Sequence, residues 1–419
     1  MGFQQGLSGL NASALNLDVI GNNIANANTY GSKDSRAEFA DVYANALGGT
    51  SNAIGLGTTL STVAQQFTQG NITATNNPLD IAINGAGFFQ VSSSNGAISY
   101  TRNGQFKVDK LGYIVNDQTQ RLLGYPADAT GTVIAGTASP LLMPTAGITP
   151  AVTSKITMEM NLDARSGVTL PAAGPVINFS DPTTYNNATS QTVYDAKGQD
   201  VALTYYFQKS ATDTWNVYVA ADGVPLATAG GNPAPSTTIT FPTNGGVPTA
   251  PVGPVTLDVP AVTNAAGATT VPITGIALTL SGATEYGSQF GVTNLTQNGY
   301  ASGQLTGVQV GNDGIITASY SNGQSKPAGQ LEIANFRNPQ GLQPTGGNDW
   351  VRSSASGDPI VGVAGAGNLG VLQAGALEES NVDLTAELVN MITAQRAYQA
   401  NAQTIKTQDQ VLQTIVNLR

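Results

Sequence analysis

The chain has 419 residues, only 10% of them charged, and a formal net charge of −10, which argues against nucleic acid or an anionic membrane surface as a partner. It contains no His and no Cys, which excludes Ser–His and Cys–His nucleophile pairs, disulfides and the commonest zinc and haem ligand sets. Its 49 Gly and 21 Pro indicate many turns, as in all-β architectures, and no apolar run reaches transmembrane length.

The first predicted element is a helix from about residue 3 to 27. Its apolar residues alternate at four and three positions, the spacing of helices that pack on other helices. The sequence Thr29-Tyr30-Gly31 predicts its end. A basic segment followed by an unbroken apolar core is missing, so we expect no cleavable secretory signal. The apolar stripe comprises Phe3, Leu7, Leu10, Ala14, Leu17, Gly21 and Ile24.

Strands are predicted from about residue 79, after a Gly/Ser/Asn-rich loop at 45–58. The alternation of residues 79–84 (LDIAIN) is typical of a strand with one buried face. Residues 100–107 (YTRNGQFK) predict a two-residue hairpin, because Asn103-Gly104 tolerates the positive φ angles of a type I′ turn.

A change of composition marks the middle of the chain. The segment from roughly 145 to 293 is rich in Thr, Ala, Pro and Gly, with scattered short strands, and is interpreted as a second β-domain inserted into the first. Strand character resumes after it. The Gly-rich stretch 357–376 is predicted to link the β-structure to the last helix.

The last predicted element is a long helix over 384–418, with Asp383 as its N-cap. Its apolar stripe matches the N-terminal one. The stripe has two interpretations: an intramolecular helical hairpin, or packing on several sides within an assembly, which the Gln side chains around the helix favour. The stripe comprises Leu384, Leu388, Met391, Tyr398, Ala402, Ile405, Leu412 and Val416, with polar breaks at Gln395 and Asp409.

Several local patterns suggest chemistry, but none predicts a site. Residues 365–370 (GAGNLG) match the dinucleotide fingerprint by letter, yet no βαβ unit surrounds them, so a flexible linker is the better interpretation. Segments 195–198 and 312–314 lack the ligand series of a calcium loop and are interpreted as turns. Glu378 and Glu379 are interpreted as solvated charges at a helix start. We therefore expect no catalytic residue, no cofactor and no metal ligand.

Motifs at both ends of the chain carry a resemblance to a known family. Residues 16–26 (NLDVIGNNIAN) closely resemble the N-terminal motif of the bacterial flagellar rod–hook proteins, and parts of 380–407 resemble the matching C-terminal motif. Segments 79–89, 101–106 and 124–126 resemble the β-domain of that family.

Length separates the members of this family, and the insert over 146–293, where the resemblance is weak, favours a hook subunit over the shorter rod proteins. The resemblance implies type III export and an inner tube of terminal helices around a channel, with β-domains stacked outside. It also implies a curved, hollow, flexible homopolymer that transmits motor torque to the filament. Its implied partners are the distal rod protein, the hook cap and the hook–filament junction proteins. Ser32, where the family commonly has an aromatic residue, and the longer loop 48–57 depart from the family pattern.

The predicted fold class is mainly β with terminal α-helices, in which one β-domain is nested inside another. The predicted domains are 1–32 and 371–419 (terminal helical domain), 33–74 (connector), 75–145 and 294–370 (β-rich domain), and 146–293 (inserted outer β-domain). The residues expected to pack subunits together are Leu7, Leu10, Leu17, Ile24, Leu384, Leu388, Met391, Tyr398, Ile405, Leu412 and Val416.

Three alternatives remain open. A distal rod protein of the same family is disfavoured by the insert. A secreted β-rich adhesin or carbohydrate-binding module would account for the Thr/Gly-rich strands, but not for a striped helix at each end. A carboxylate-dependent glycosidase would require two carboxyl groups about 5–10 Å apart in a groove. The preferred interpretation is a self-assembling structural subunit that is not an enzyme and does not insert into a membrane.

Overall fold

The computed structural model describes residues 2–42, 55, 57–128, 130–134, 136–169 and 177–417, except for the side chains of residues 2 and 415–417. The chain divides into two units, which are described separately. The first unit holds residues 1–145, 307–319 and 325–419, and the second holds 146–306 and 320–324. The predicted mainly β fold with a helix at each end is confirmed.

The helices are α1 (Gly2–Asn26) and α2 (Leu384–Asn417), and two short 3₁₀ turns lie at Pro182–Thr184 and Pro339–Gly341. The strands, numbered in chain order, are β1 (Ser35–Val42), β2 (Gly57–Gln65), β3 (Ile72–Ala74), β4 (Ile81–Asn84), β5 (Phe88–Ser92), β6 (Ile98–Thr101), β7 (Lys107–Val108), β8 (Ile114–Val115), β9 (Arg121–Pro126), β10 (Ser139–Pro140), β11 (Lys155–Asp163), β12 (Asn187–Tyr194), β13 (Asp200–Ala211), β14 (Thr214–Ala221), β15 (Val224–Pro225), β16 (Thr228–Ala229), β17 (Asn232–Pro233), β18 (Thr237–Thr240), β19 (Val255–Val259), β20 (Ile273–Thr279), β21 (Thr284–Tyr286), β22 (Gly291–Gln297), β23 (Leu305–Val310), β24 (Ile315–Tyr320), β25 (Ser325–Asn335), β26 (Gln343–Gly346), β27 (Asp349–Val351), β28 (Ile360–Val363), β29 (Val371–Ala374) and β30 (Ala376–Glu378).

The first unit is built on a large sheet in the order β23-β24-β25-β9-β5-β6-β27-β26, with β7, β8, β10 and β28 attached at its sides. Three two-stranded sheets, β1–β2, β4–β29 and β3–β30, accompany it. The β4–β29 and β3–β30 sheets pair strands that precede α2 with strands that follow β2. The core of this unit is therefore assembled from strands of both halves of the chain, including Ile83, Phe89, Leu122, Leu331 and Leu372.

The second unit has one core between two sheets, with strand orders β19-β20-β11-β21 and β12-β13-β14-β15. Strand β11 shows why the sequence forms it: its apolar side chains alternate with Thr, Glu and Asn, and every second residue is buried. Trp215, Tyr205 and Phe207 are the bulkiest side chains in this core.

The hairpin predicted at 100–107 is wrong. Strand β6 ends at Thr101 and pairs with β5 and β27, whereas β7 pairs with β8. Neither Asn103 nor Gly104 has a positive φ. Instead Gly104 carries its backbone against β4, where the Ile81 N–H donates to the Gly104 carbonyl at 3.0 Å. A Cβ on Gly104 would lie 1.7 Å from the Ile81 oxygen. Glycine is needed here for close backbone approach and not for a turn.

The flexible linker predicted at 365–370 is also wrong. These residues form the turn between β28 and β29, in which the Gly365 N–H donates to the Gly370 carbonyl at 2.9 Å. The wider stretch 357–376, predicted to link the β-structure to the last helix, contains β28, β29 and the first residue of β30. The turns predicted at 195–198 and 312–314 are confirmed by their backbone hydrogen bonds. Most of the loop predicted at 45–58 lies outside the described residues.

Candidate subunit-packing surface and its root

Helices α1 and α2 pack against each other in antiparallel directions. Two glycines of α1 permit the close approach: a Cβ on Gly6 would lie 3.0 Å from Ile405, and one on Gly9 would lie 2.8 Å from the Asn401 side chain. The Asn401 amide also donates to Ser13 Oγ at 3.4 Å. The intramolecular hairpin interpretation therefore describes part of what the stripe does.

The eleven residues predicted to pack subunits together divide into two groups. Leu10, Leu17, Ile24, Met391 and Ile405 are half-buried. The exposed group consists of Leu7 (44%), Leu384 (44%), Leu388 (46%), Tyr398 (38%) and Leu412 (53%). The side chain of Val416 lies outside the described part of the chain. Pairing of the two helices thus leaves half of the predicted set in contact with solvent.

Further apolar side chains on the helices are exposed and were missed by the predicted stripe. They are Leu15, Val389, Ile392 and Val411, with exposures of 40–59%. Phe3, a stripe residue outside the expected packing set, is 46% exposed. On α2 these residues directly adjoin stripe positions: Val389 follows Leu388, Ile392 follows Met391 and Val411 precedes Leu412. This doubling of apolar positions is visible in the sequence, and it indicates a stripe too wide for one partner helix.

We define the outer α2 face as Leu384, Leu388, Val389 and Ile392. At 100° per residue, the last three lie roughly 120–160° around the axis from Ala394, which is buried toward α1. These three side chains are therefore turned away from α1, whereas Leu384 lies roughly 80° from Ala394. Contiguous apolar side chains in water at one helix face are typical of a binding surface.

The segment that follows α1 and the segment that precedes α2 meet at a buried group of charged side chains. We call this group the root cluster, and its members are Lys33, Arg102 and Glu378. The Lys33 Nζ lies 2.6 Å from Glu378 Oε1, and the Arg102 Nη1 lies 3.0 Å from Glu378 Oε2. The side chains of Lys33 and Glu378 are fully buried, and that of Arg102 is 5% exposed. Burial lowers the pKa of Lys33 and of Arg102, against the opposing attraction of Glu378.

The prediction that Glu378 is a solvated charge at a helix start is wrong. Residue 378 is the last residue of β30, and α2 begins six residues later. The Gly70 N–H donates to Glu378 Oε1 at 3.0 Å, and Lys33 Nζ donates to the Thr68 carbonyl at 2.8 Å. No local pattern around residue 378 shows this, because all of its partners are distant in sequence.

A second polar group surrounds the first turn of α2. The Asp383 carboxylate caps the helix by accepting from Thr385 N–H at 2.9 Å and Ala386 N–H at 3.1 Å, which confirms the predicted N-cap. The buried Asn23 amide donates to Asp34 Oδ1 at 2.6 Å and approaches Glu387 Oε2 at 3.5 Å. Burial, followed by repulsion from Glu387, raises the pKa of Asp34.

Two features are absent from the described part of the chain. No group of three or more acidic side chains is placed to hold a metal ion. Neither α1 nor α2, as far as each is described, is long and apolar enough to cross a membrane.

Comparisons with known proteins match the whole chain. Four family models match in succession: Flagella basal body rod protein (residues 3–33), Flagellar hook protein FlgE/F/G D1 domain (82–177), Flagellar basal body protein FlaE D2 domain (161–300) and Flagellar basal body rod FlgEFG protein C-terminal (373–418).

Three full-length relatives share one description. The chain is 43% identical to the flagellar hook protein FlgE of Salmonella typhimurium and 41% identical to that of Escherichia coli. Each alignment covers 100% of this chain and 100% of the relative. It is 34% identical to the Brucella suis protein of the same description, over 100% of this chain and 98% of the relative. Among solved structures, the Helicobacter pylori flagellar hook protein FlgE2 matches 73% of this chain with a TM-score of 0.55 at 15% identity, a likeness of fold.

Proposed function

The chain belongs to the flagellar hook protein FlgE family and is a structural subunit of the bacterial flagellar hook, and on that premise we propose that its copies assemble through the outer α2 face. In this proposal the terminal helices form the inner wall of a hollow, curved tube, and the two β-units lie outside it. The tube acts as a flexible joint that passes motor torque to the filament. Full-length identity to hook proteins favours this function over that of a distal rod protein.

The observation that carries the proposal is the exposure of the outer α2 face. Its four large apolar side chains are 44–59% exposed although α2 already packs on α1. Complete burial of such a side chain stabilises by about 1.5–3 kcal/mol, so burying the exposed half contributes about 1 kcal/mol each. Because each copy in a polymer meets more than one neighbour, such small gains accumulate along the tube.

The proposed partners and location follow from family membership. We infer that the chain binds further copies of itself and, at the two ends of the polymer, the distal rod protein, the hook cap and the hook–filament junction proteins. We place it outside the cell, after export by the flagellar type III route. We infer a purely structural role, with no catalytic residue and no cofactor.

The test compares the full chain with a double substitution on the outer α2 face, Leu388→Gln with Ile392→Gln. Loss of about 2 kcal/mol of burial raises the concentration needed for polymerisation about 30-fold. Sedimentation measures that concentration during salting-out, and electron microscopy shows whether curved hollow tubes form.

The matched control is Val252→Gln, which makes the same kind of aliphatic-to-Gln change at a valine that is 95% exposed in the second unit. We expect it to polymerise like the unchanged chain. A second comparison removes residues 1–26 and 384–419, which spares the root cluster, and we expect it to remain monomeric. Normal tubes from the double variant would refute the role of the outer α2 face, and an unchanged chain that stays monomeric under every condition would refute the assembly proposal.

A further inference from the structure

The dipeptide Asn-Gly occurs six times in the chain, and it is the sequence at which an asparagine most readily loses its side-chain amide without an enzyme. Glycine has no Cβ to hinder the approach of its backbone nitrogen to the preceding side chain. In a folded protein the reaction also requires that both residues can move. The six pairs begin at Asn84, Asn95, Asn103, Asn244, Asn298 and Asn322.

Tertiary packing restrains the glycine in four of these pairs. The peptide group that carries the attacking nitrogen must rotate during the reaction, and close neighbours resist that rotation. A Cβ built on each of the crowded glycines would lie 1.7–3.0 Å from the nearest atom, whereas one on Gly96 or Gly323 would have no atom within 4 Å. The crowded glycines are Gly85, Gly104, Gly245 and Gly299.

The two open pairs lie in turns of the same kind, one between β5 and β6 and the other between β24 and β25. A Ser precedes the Asn in both. The Gly96 and Gly323 N–H groups each donate to the carbonyl three residues earlier, at 2.9 and 3.0 Å, and their φ angles are 84° and 78°. The side-chain oxygens of Asn95 and Asn322 each accept from the backbone N–H two residues later, at 3.0 and 3.1 Å. Local structure therefore does not distinguish the two pairs.

A tertiary contact does distinguish them. The Asn322 side-chain amide donates to the Ala301 carbonyl at 2.6 Å, and a Cβ on Gly303 would lie 2.7 Å from the same side chain. Asn95 is exposed, and its amide nitrogen donates to none of the described residues. The carbonyl carbon of the Asn95 side chain can therefore turn toward the Gly96 nitrogen, whereas Asn322 must first lose its bond to Ala301.

We propose that Asn95 is a modification site, at which the folded protein converts its side-chain amide to a carboxylate without an enzyme. The Gly96 nitrogen attacks Asn95 Cγ, and the new C–N bond closes a five-membered succinimide ring. The Cγ–Nδ2 bond breaks, and Nδ2 leaves as ammonia with the proton that the Gly96 nitrogen gives up. Water from the solvent then opens the ring at either carbonyl carbon, which leaves aspartate or isoaspartate. No oxidation or reduction takes place.

The modification changes the charge and the backbone of an exposed turn. The product adds one negative charge to a chain whose net charge is −10. Isoaspartate also takes the main chain through the former side chain, which lengthens the turn by one carbon atom. That turn joins two paired strands of the large sheet, β5 and β6. The first unit thus acquires an altered surface turn with age, which neither family membership nor the proposed function assigns.

The test compares the two matched turns within one sample of the full chain. The folded protein is kept at mildly alkaline pH, which favours removal of the proton from the glycine nitrogen. Peptide mass spectrometry then measures the fraction of aspartate and isoaspartate at each Asn-Gly pair over time. We expect Asn95 to convert at least about fivefold faster than Asn322, because the hydrogen bond to Ala301 has to break first. In denaturant, where both turns are unfolded, we expect the two rates to be equal.

Substitutions provide a second readout of the same site. Asn95→Gln and Asn322→Gln are a matched pair, since glutamine closes the corresponding larger ring far more slowly. Labelling by an isoaspartate-specific methyltransferase measures the total isoaspartate in aged, folded protein. We expect Asn95→Gln to remove most of the label and Asn322→Gln to leave it unchanged.

The outcomes separate the proposal from its alternatives. Fastest conversion at Asn95 in the folded chain, together with equal rates at Asn95 and Asn322 in denaturant, supports it. Equal rates in the folded chain, or faster conversion at any other Asn-Gly pair, overturn it. Unequal rates in denaturant would trace the difference to local sequence and overturn it as well, as would an Asn95 that stays intact while the denatured chain converts. None of these measurements requires tube formation, so they are decided independently of the proposed function.

Discussion

Replacement of Gly104 by Ala probes a close backbone approach in the first unit. The added Cβ would lie 1.7 Å from the Ile81 oxygen, which is backbone and cannot rotate away. An ordinary contact of about 3.4 Å requires the two segments to separate by more than an ångström. That movement breaks the hydrogen bond from Ile81 N–H to the Gly104 carbonyl, now 3.0 Å long.

The expected cost follows from what this movement disturbs. A buried hydrogen bond left unmade costs about 1–3 kcal/mol. Ile81 and Ile83 have no exposed surface, and displacing such well-packed side chains costs about 1–3 kcal/mol more. We therefore expect Gly104→Ala to lower the free energy of unfolding of the first unit by about 2–6 kcal/mol.

The assay uses the two tryptophans of the chain, which report on different units: Trp350 lies in the first and Trp215 in the second. In a Trp215→Phe background, Trp350 fluorescence follows denaturant unfolding of the first unit alone. Gly307→Ala in β23 is the matched control, because a Cβ there has no atom within 4 Å. Equal unfolding midpoints for the two variants would refute the crossing argument. A two-residue type I′ hairpin turn at 103–104 would instead require a positive φ at both residues, and neither Asn103 nor Gly104 has one.

Two further predictions concern the helix root. Asp383→Ala removes the cap of α2 and should cost about 0.5–2 kcal/mol of helix stability in thermal melts followed by circular dichroism, while Asp383→Asn should restore most of it; equal melts for the two variants would contradict the capping role. Because the pKa of Asp34 is raised in the folded state, its contribution to stability is full below the unfolded value and is lost as pH rises through the folded one. Unfolding midpoints of the unchanged chain should therefore fall relative to Asp34→Asn across that window, and a constant difference across pH would show that the carboxyl is not responsible.

Local sequence pattern accounts for both helices and for some of the strands. The alternation along β11, the apolar stripes of α1 and α2, and Asp383 before Leu384 each act over a few residues, so neighbouring positions in the sequence suffice to predict them. The candidate surface could be predicted in part for the same reason, since helical periodicity determines which side chains share a face. Which of them remain exposed depends on where α1 lies.

The two wrong local predictions, at 103–104 and at 365–370, have the same physical cause. Asn103-Gly104 has the composition of a tight turn, and residues 365–370 have that of a flexible loop, but contacts with distant segments decide both conformations. The backbone of Gly104 lies directly against that of Ile81. The 365–370 turn connects β28, which pairs with β25, to β29, which pairs with β4. Propensity is a preference of about 1 kcal/mol per residue, which such contacts outweigh.

By itself, the sequence determined the helices at both ends, the β character of the region between them and the membership of the family, because short-range periodicity and contiguous motifs carry that information. Only the tertiary structure decided the root cluster, in which the Lys33–Glu378 ion pair joins residues 345 positions apart. A charged side chain looks solvated wherever its own neighbours are polar. Glu378 is buried because the fold brings Lys33 and Arg102 to it, and no window of sequence contains all three.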